Sequence, residues 1–309
     1  MRHAILGAGG VGGVLGACLA HTGDQVTMVV RASALEQFPA ELQLESPLVG
    51  NFTAPVQKAA QVPPVDVLWV AVKATQLEHA LRSVPDAAAA KIIVPLLNGI
   101  DHVALLRERF GQDRVVPGTI AGEMERMAPG RYVHPSPFLM LNVASSGRAI
   151  LDATFEKLLA MKLSGRFVDD EKTLLWNKLA FLGPFALATS AFGVPIGGVL
   201  ANDEWHKELE ACVREFCLVA VAEGADVHVD KVWAAFFNVP KEMKSSMQKD
   251  VERGNPPELD AIGGRVVRGG ERHGIPVPAT RGLTAEIEVR VGMGSASGIV
   301  TPLNRRVRD

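Results

Sequence analysis

The 309-residue sequence has little cysteine, little tyrosine and almost no net charge. Its three cysteines, Cys18, Cys212 and Cys217, are too few for a disulfide framework and lack the paired spacing of a metal site. The eight histidines contain no H-x-x-x-H pair, so we expect no metal. A formal net charge of −2 gives no basic footprint for nucleic acid. We therefore expect a cytoplasmic protein that binds neither metal nor nucleic acid.

Charged residues are also missing from the segment between Leu179 and Asn202, which is long enough to be a candidate membrane span. Glycines and prolines interrupt this segment, at positions 183, 184, 193, 195, 197 and 198. A helix that is buried on all sides and ends near Gly193 explains the same pattern, and we favour it over a membrane span. The first residues enter a strand at once, so we expect no signal peptide.

The first twelve residues carry the most informative pattern, a G-x-G-x-x-G. It lies between a predicted strand, Arg2–Leu6, and a predicted helix, Gly10–His21, which is the context of a dinucleotide-binding turn. One glycine permits the turn, one lets backbone N–H groups approach a pyrophosphate, and one allows close helix–strand packing. The phosphates would lie at the positive end of the helix. A glycine-rich turn without a ligand is the alternative. The predicted cofactor-binding residues are Gly7, Gly9, Gly10, Val11 and Gly12.

The residue after the second predicted strand indicates which dinucleotide binds. An NAD site places an acid there to hold the ribose 2′-hydroxyl. In this sequence the strand Gln25–Val30 is followed by Arg31, and no acid appears before Glu36. A guanidinium suits a 2′-phosphate, so we predict NADP(H). A solvated charge at the strand end is the alternative for Arg31.

The first half of the chain alternates between strand and helix patterns, which predicts an α/β fold with a doubly wound, Rossmann-type sheet. Asp101 is the predicted N-cap of one of these helices. Two further strands, at 130–134 and 138–143, are expected to extend one edge of the sheet. The other predicted strands are 52–57, 66–72, 91–96 and 114–119, and the predicted helices are 76–84 and 101–110.

From about residue 150 the hydrophobic pattern has a helical period, which predicts an all-helical second domain. We place an NADP-binding domain at residues 1–165 and a helical substrate and dimerisation domain at residues 166–309. Residues 292–309 are expected to form a flexible tail. The predicted helices are 153–161, 171–192, 204–223, 232–236, 258–274 and 280–291.

Two polar groups follow buried strands of the predicted sheet, Lys73 in VAVK and Asn98 in LLNG. Ligands of open parallel sheets bind beyond the carboxyl ends of the strands, so Lys73 is expected near the cofactor and Asn98 near its nicotinamide end. For Asn98-Gly99 a simple turn is an equally natural explanation, because Asn-Gly is a favoured turn pair.

The helical half offers a lysine and a glutamate in unusual settings. Lys178 is the last charge before the long apolar segment, and desolvation there would lower its pKa toward that of a general acid. A lysine that extends from its helix to water is the alternative. Glu258 in Asn255-Pro256-Pro257-Glu258 fits either a helix cap or a carboxylate that accepts a hydrogen bond from a substrate hydroxyl.

Together these motifs resemble the ketopantoate reductase family, the NADPH-dependent enzymes that reduce 2-dehydropantoate to pantoate. The resemblance spans nearly the whole chain, through ILGAGGVG, VAVKATQ, LLNG, LWNKLA, SSMQKD, PELD and HGIPVPAT. It implies that Lys178 is the general acid, Glu258 a substrate-binding carboxylate of the catalytic site, and Ser246 and Asn98 substrate contacts. Arg31 and Lys73 would serve the cofactor. A cleft between a Rossmann domain and a helical domain, and a possible homodimer, are also implied.

One departure from the family pattern affects the substrate. The family typically has asparagines four and eight residues after the lysine, and here these positions are Leu182 and Ala186. We therefore expect an NADPH-dependent reductase of a small 2-oxo acid, with 2-dehydropantoate the leading candidate. A related reductase for a bulkier or less hydroxylated 2-oxo acid is one alternative, and a non-catalytic NADP(H)-binding sensor is another.

Overall fold

The computed structural model describes residues 1–85 and 90–292, so the predicted tail after residue 292 lies outside the described residues. The strands are β1 (Arg2–Leu6), β2 (Gln25–Val29), β3 (Glu41–Glu45), β4 (Phe52–Pro55), β5 (Gln57–Ala59), β6 (Val65–Val70), β7 (Ala90–Pro95), β8 (Gly118–Ala121), β9 (Glu125–Ala128), β10 (Arg131–Val133), β11 (Met140–Ala144) and β12 (Ser164–Val168). The α-helices are α1 (Gly10–His21), α2 (Leu77–Leu81), α3 (Asp101–Phe110), α4 (Arg148–Ala160), α5 (Glu171–Phe192), α6 (Ile196–Ala201), α7 (Asp203–Ala222), α8 (Val229–Ala235), α9 (Ser246–Glu252), α10 (Arg265–His273) and α11 (Pro278–Arg290).

A parallel sheet organises the N-terminal half. Within the described ranges it contains five strands in the order β5-β2-β1-β6-β7. Its central strands β1 and β6 are buried apolar segments, as expected when both faces of a parallel sheet are covered. Because the strands are parallel, β1, β2, β6 and β7 all end at the same edge. The predicted α/β class is confirmed, and this edge positions the site.

The prediction that strands near 130–134 and 138–143 extend this sheet is wrong. In the described part of the chain, β10 belongs to a separate sheet, β4-β3-β10-β9, and β11 to another, β12-β11-β8. The predicted strand at 52–57 is likewise divided between β4 and β5, which lie in different sheets. β3 alternates between buried and exposed residues, which is typical of a sheet with one solvent-exposed face rather than of a parallel sheet that is buried on both faces. Such short half-polar strands left too weak a pattern for β3, β9 and β12 to be predicted.

Helix α1 lies between the parallel sheet and the outer layer formed by β4, β3, β10 and β9. A Cβ on Gly13 would lie 1.9 Å from the Tyr132 ring of β10, and one on Gly16 would lie 2.9 Å from the Met28 sulfur of β2. Small residues are therefore needed on two sides of this helix. This explains why α1 has no polar face after its first turn.

Helix α5 forms the centre of the C-terminal half and packs against α7, α9 and α11. It is almost entirely buried after Leu182 and ends at Gly193, which takes the left-handed conformation (φ 70°) that glycine favours. The buried-helix interpretation is therefore confirmed. Among the helices of residues 1–85 and 90–292, none combines the length and apolar character that crossing a membrane requires.

The predicted N-cap at Asp101 is wrong, whereas the predicted domain boundary at residue 165 is not tested by the structure. Asp101 is not an N-cap: α3 begins at Asp101 itself, and its carboxylate accepts a hydrogen bond from Arg268 of α10 (2.9 Å) and forms an ion pair with Arg265 (2.8 Å). The Asp101 side chain therefore pairs with arginines of α10 instead of capping its own helix. The proposed boundary at residue 165 falls inside β12, which pairs with β11, and the division at that point stays a prediction.

A buried polar cluster stabilises the opposite edge of the parallel sheet, where the strands begin. Asp24 accepts hydrogen bonds from the Met1 amine (3.0 Å) and from Lys157 (2.6 Å), and lies 3.3 Å from His3 Nε2. Trp69 donates to Nδ1 of His3 at 3.2 Å. Burial lowers the pKa of His3 to about 4. For Asp24, burial works to raise the pKa, but the three donors outweigh it and the pKa is lowered.

This cluster predicts a loss of stability in acid. The pKa of His3 is lower in the folded than in the unfolded state, so the unfolded chain takes up the proton first. His3 therefore contributes stability that is present above about pH 6.5 and is lost as the pH falls toward about 4. Between pH 7.5 and pH 5 the loss from His3 is about 2 kcal/mol. We expect His3→Gln, compared with wild type by urea unfolding at both pH values, to remove that part of the pH dependence. Equal pH dependence in the two proteins would contradict the assignment.

Candidate active site

The glycine-rich turn between β1 and α1 has the geometry that a bound pyrophosphate requires. Gly7 has a positive φ (109°), and a Cβ there would lie 2.7 Å from the Ala71 carbonyl oxygen. A Cβ on Gly12 would lie 2.0 Å from the Gly7 carbonyl oxygen and 2.9 Å from Ile5 of β1. Apart from Gly9 and its two chain neighbours, no heavy atom of residues 1–85 and 90–292 lies within 4 Å of a Cβ built on Gly9. Gly7 thus permits the turn, Gly12 allows close packing of helix and strand, and Gly9 leaves space for a ligand to approach the backbone. The turn therefore fits a dinucleotide.

The other predicted cofactor residues lie at the same edge. Gly10 and the half-buried Val11 form the first turn of α1, and the Met124 carbonyl covers Gly10, where a Cβ would lie 2.1 Å from the oxygen. Arg31 is exposed and follows the end of β2 by two residues. This position suits contact with the ribose end of a dinucleotide, and the role of Arg31 stays a prediction.

Glu258 joins the two halves of the molecule at the carboxyl edge of the sheet. One carboxylate oxygen accepts from the Ala74 backbone N–H at 2.7 Å, and the other accepts from the Asn98 side-chain amide at 2.9 Å. Ala74 follows β6 and Asn98 follows β7, so this one buried carboxylate spans the loops after two neighbouring strands. Asn98 and Glu258 are therefore brought together, as their predicted roles require.

The helix-cap interpretation of Glu258 is wrong. Regular helical structure begins after it, with a π-helical turn at Asp260–Gly264 that leads into α10. The carboxylate crosses to the N-terminal half instead of bonding to its own helix. Single π-turns are frequent at functional sites. The chain bends at Asn98-Gly99 (φ 81° at Gly99), and a Cβ on Gly99 would lie 2.5 Å from the Ala261 carbonyl oxygen. A bend and a site role are therefore compatible, and the role of Asn98 as a substrate contact stays a prediction.

Lys178 lies two turns into α5, and its residue is half-buried. Burial lowers the pKa of Lys178 to about 8, although the nearby negative charge of Glu258 opposes that shift. A lysine with this pKa keeps a substantial protonated fraction near neutral pH and gives up its proton more readily than an exposed lysine. This setting favours an acid–base role over a lysine that merely extends to water.

The remaining predicted site residues have different surroundings. Lys73 donates to Asp250 of α9 at 2.6 Å, which fixes its amine at the carboxyl edge of β6. Ser246 is exposed as the first residue of α9, and its role as a substrate contact stays a prediction. The neighbouring Ser245 is buried instead. Its hydroxyl oxygen caps α9 by accepting from the Gln248 N–H, and it forms a hydrogen bond with the Thr189 hydroxyl of α5. Along α5, Leu182 is half-buried and Ala186 is buried.

Several residues of the site were missed by sequence reasoning. Asp250 holds Lys73, and His102 is buried one turn after Asn98. Lys249 pairs with Glu123 and Glu125, which flank the carbonyl that covers Gly10. Asp250 in SSMQKD and His102 in NGIDH lie next to motifs that sequence analysis did single out, but no neighbouring residue indicates which groups they contact. All three cysteines are free and buried, and the described residues contain no cluster of three or more metal-ligating side chains.

Comparison with known proteins agrees with this geometry. The profile of Ketopantoate reductase PanE/ApbA matches residues 3–140, and that of its C-terminal part matches residues 170–291. A 2-dehydropantoate 2-reductase from Caulobacter vibrioides is 30% identical over 291 residues, which cover 91% of this chain and 96% of that protein. Fold and site define the class: the protein is a nicotinamide-dependent oxidoreductase. More narrowly, the chain belongs to the ketopantoate reductase family.

Solved structures share the whole architecture. A PanE/ApbA family ketopantoate reductase from Ralstonia eutropha has a TM-score of 0.82 at 26% identity, over 95% of this chain and 99% of that one. D-mandelate dehydrogenase, solved with NADH and anilino(oxo)acetate, also has a TM-score of 0.82, over 95% of this chain and 99% of that one. Its identity is 22%, so this second likeness shows the fold alone.

The glycine turn predicts that two similar substitutions affect different properties, folding stability in one case and NADPH binding in the other. Gly12→Ala forces a methyl group against backbone atoms, and we expect it to cost about 3 kcal/mol of folding free energy. Gly9→Ala meets no neighbour, and its backbone (φ −77°) suits alanine, so stability should be unchanged while NADPH binding weakens about tenfold. Thermal unfolding and fluorescence titration with NADPH measure both effects. Normal NADPH affinity in Gly9→Ala would exclude the pyrophosphate from this turn.

Proposed function

We propose that the protein is an NADPH-dependent reductase of a small 2-oxo acid, with the reduction of 2-dehydropantoate to pantoate as the leading candidate. The carrying observation is the convergence of Lys178, Glu258 and Asn98 at the carboxyl edge of the sheet that also bears the glycine turn. The Caulobacter relative named 2-dehydropantoate 2-reductase supports the choice of substrate. Arg31 supports NADPH, because a guanidinium can bind a 2′-phosphate.

The protein's own contribution to this reaction is proton supply and orientation. The bound nicotinamide supplies the hydride that reduces the keto carbon. Lys178 donates its proton to the carbonyl oxygen, so that an O–H bond forms as an N–H bond breaks and the lysine becomes a neutral amine. The lowered pKa of Lys178 favours this transfer near neutral pH.

Glu258 and Asn98 orient the substrate in the same proposal. A carboxylate that already accepts two hydrogen bonds has further lone pairs for a substrate hydroxyl. Asn98 donates one amide N–H to Glu258, and its carbonyl oxygen and second N–H would contact the substrate. Lys73, fixed by Asp250, supplies a positive charge for the cofactor at the end of β6.

The role of Lys178 predicts a pH profile. A general acid must be protonated, so kcat should be constant below about pH 8 and fall above it, well below the pH at which an ordinary lysine titrates. Lys178→Ala should lower kcat by about 10²–10⁴-fold while NADPH still binds. NADPH oxidation over a pH series, with binding measured by fluorescence, tests both. Turnover that survives in Lys178→Ala would sink the proposed acid. Wild-type protein that binds NADPH and reduces no 2-oxo acid would instead favour the sensor alternative.

A second candidate substrate is favoured by the helix face that follows Lys178. Leu182 and Ala186 stand one and two turns after the lysine on the same face, and neither side chain can hydrogen-bond a hydroxyl. This arrangement suits a bulkier or less hydroxylated 2-oxo acid. D-mandelate dehydrogenase, which shares this fold, was solved with anilino(oxo)acetate, an aromatic molecule, and this supports the second candidate.

A substrate panel separates the two candidates. If 2-dehydropantoate is the substrate, its kcat/KM should exceed that of the analogue without the hydroxyl by about tenfold or more, since a site that bonds a hydroxyl rejects its absence. Comparable values would favour the second candidate. Leu182→Asn should raise the ratio in favour of 2-dehydropantoate, and Leu182→Ala serves as the control for lost volume. NADPH and NADH are run side by side.

A further inference from the structure

A buried histidine beside the site has a ring nitrogen without a hydrogen-bond partner. His102, in the first turn of α3, is 6% exposed. Its Nε2 is fully buried and bonds to no atom of the described residues. Most buried polar atoms in native proteins are paired, because an unpaired one costs free energy, so an exception calls for a reason. This nitrogen is therefore a candidate for a role in the site.

An ion pair and a shared apolar cluster connect α3 with α5, on the side where the charge of Lys178 acts on His102. Arg107, at the far end of α3, donates to Glu171 at the start of α5 at 2.6 Å. Leu175, one turn further along α5, packs against the cluster that contains Val103 of α3. The first turn of α3 therefore lies toward the turn of α5 that carries Lys178.

Electrostatics agree with this placement. Burial first, and then the charge of Lys178, lowers the pKa of His102 to about 3, so the imidazole is neutral at physiological pH. Lys178 is faced in addition by Glu258 from the segment before α10. Asp101, the neighbour of His102, is already paired with Arg265 and Arg268. The neutral imidazole, unlike these groups, has an uncommitted nitrogen.

We infer that His102 is a positioning residue for Lys178: its neutral imidazole, through one bridging water, provides the hydrogen-bond partner that keeps the lysine amine aimed at the reacting carbonyl. A neutral imidazole protonated at Nδ1 accepts at Nε2 from the water to which the ammonium donates, and the other tautomer can donate to that water after proton transfer. The inference rests on the proposed role of Lys178 as proton donor.

The test measures the titration of Lys178 directly. Lysine labelled with ¹³C at Cε reports each amine by NMR, and loss of the signal in Lys178→Arg assigns it. Removing a hydrogen bond that favours the ammonium should lower the pKa of Lys178 by about one pH unit in His102→Leu. His102→Gln keeps a polar partner and should restore most of the wild-type value. The control His3→Gln changes a buried histidine at the opposite edge of the sheet and should leave Lys178 unchanged.

Kinetics provide the second readout. His102→Leu should lower kcat about tenfold with little change in KM, and should move the alkaline limb of the profile to lower pH by the same amount. An unchanged pKa of Lys178 in folded His102→Leu overturns the inference. If that variant does not fold, His102→Asn, whose amide reaches less far, replaces it with the same expected shift. Full turnover in Lys178→Ala would refute the proposed function, whereas the NMR titration would still decide whether His102 and Lys178 are coupled.

Discussion

The cleft depends on the two hydrogen bonds that the buried Glu258 carboxylate accepts from the N-terminal half. A desolvated carboxylate is costly unless donors satisfy its oxygens, and here Ala74 and Asn98 do so from the loops after β6 and β7. The same contacts fix the segment before α10 against the carboxyl edge of the sheet. The candidate site residues of the helical half are thereby held at the edge of the sheet that also carries the glycine turn.

The pKa of Lys178 reflects burial first and then the opposing negative charge of Glu258. Burial alone would lower the pKa of the lysine further, and the carboxylate partly offsets this effect. The resulting balance leaves an ammonium that is present near neutral pH but is still a usable acid. A neighbour that adds or removes one hydrogen bond would shift this balance, and the unpartnered nitrogen of His102 is the group from which we infer such an effect.

Sequence reasoning succeeded where the physical cause is local. The glycine turn is a local geometric requirement, and the long uncharged segment that ends at Gly193 could be recognised as a buried helix because its glycines and prolines argue against a membrane span. It failed where a stronger distant partner replaced a local one. Asp101 was expected to cap α3 but pairs with α10, and of the two interpretations left open for Glu258 the helix cap is the one that its bonds to Ala74 and Asn98 exclude. The outer-layer strands failed because short half-polar segments have no distinctive period.

By itself the sequence determined the α/β class, the position of the dinucleotide turn and the identity of the polar groups that end the strands, since each follows from residues close together in the chain. Only the tertiary structure decided which groups meet. The partners of Glu258 lie 160 and 184 residues away, and Lys73 finds Asp250 177 residues away. No local pattern encodes such distances, because these contacts depend on how two separately packed halves dock. Burial of Lys178 and His102 follows from the same docking, and with it the chemistry of the site.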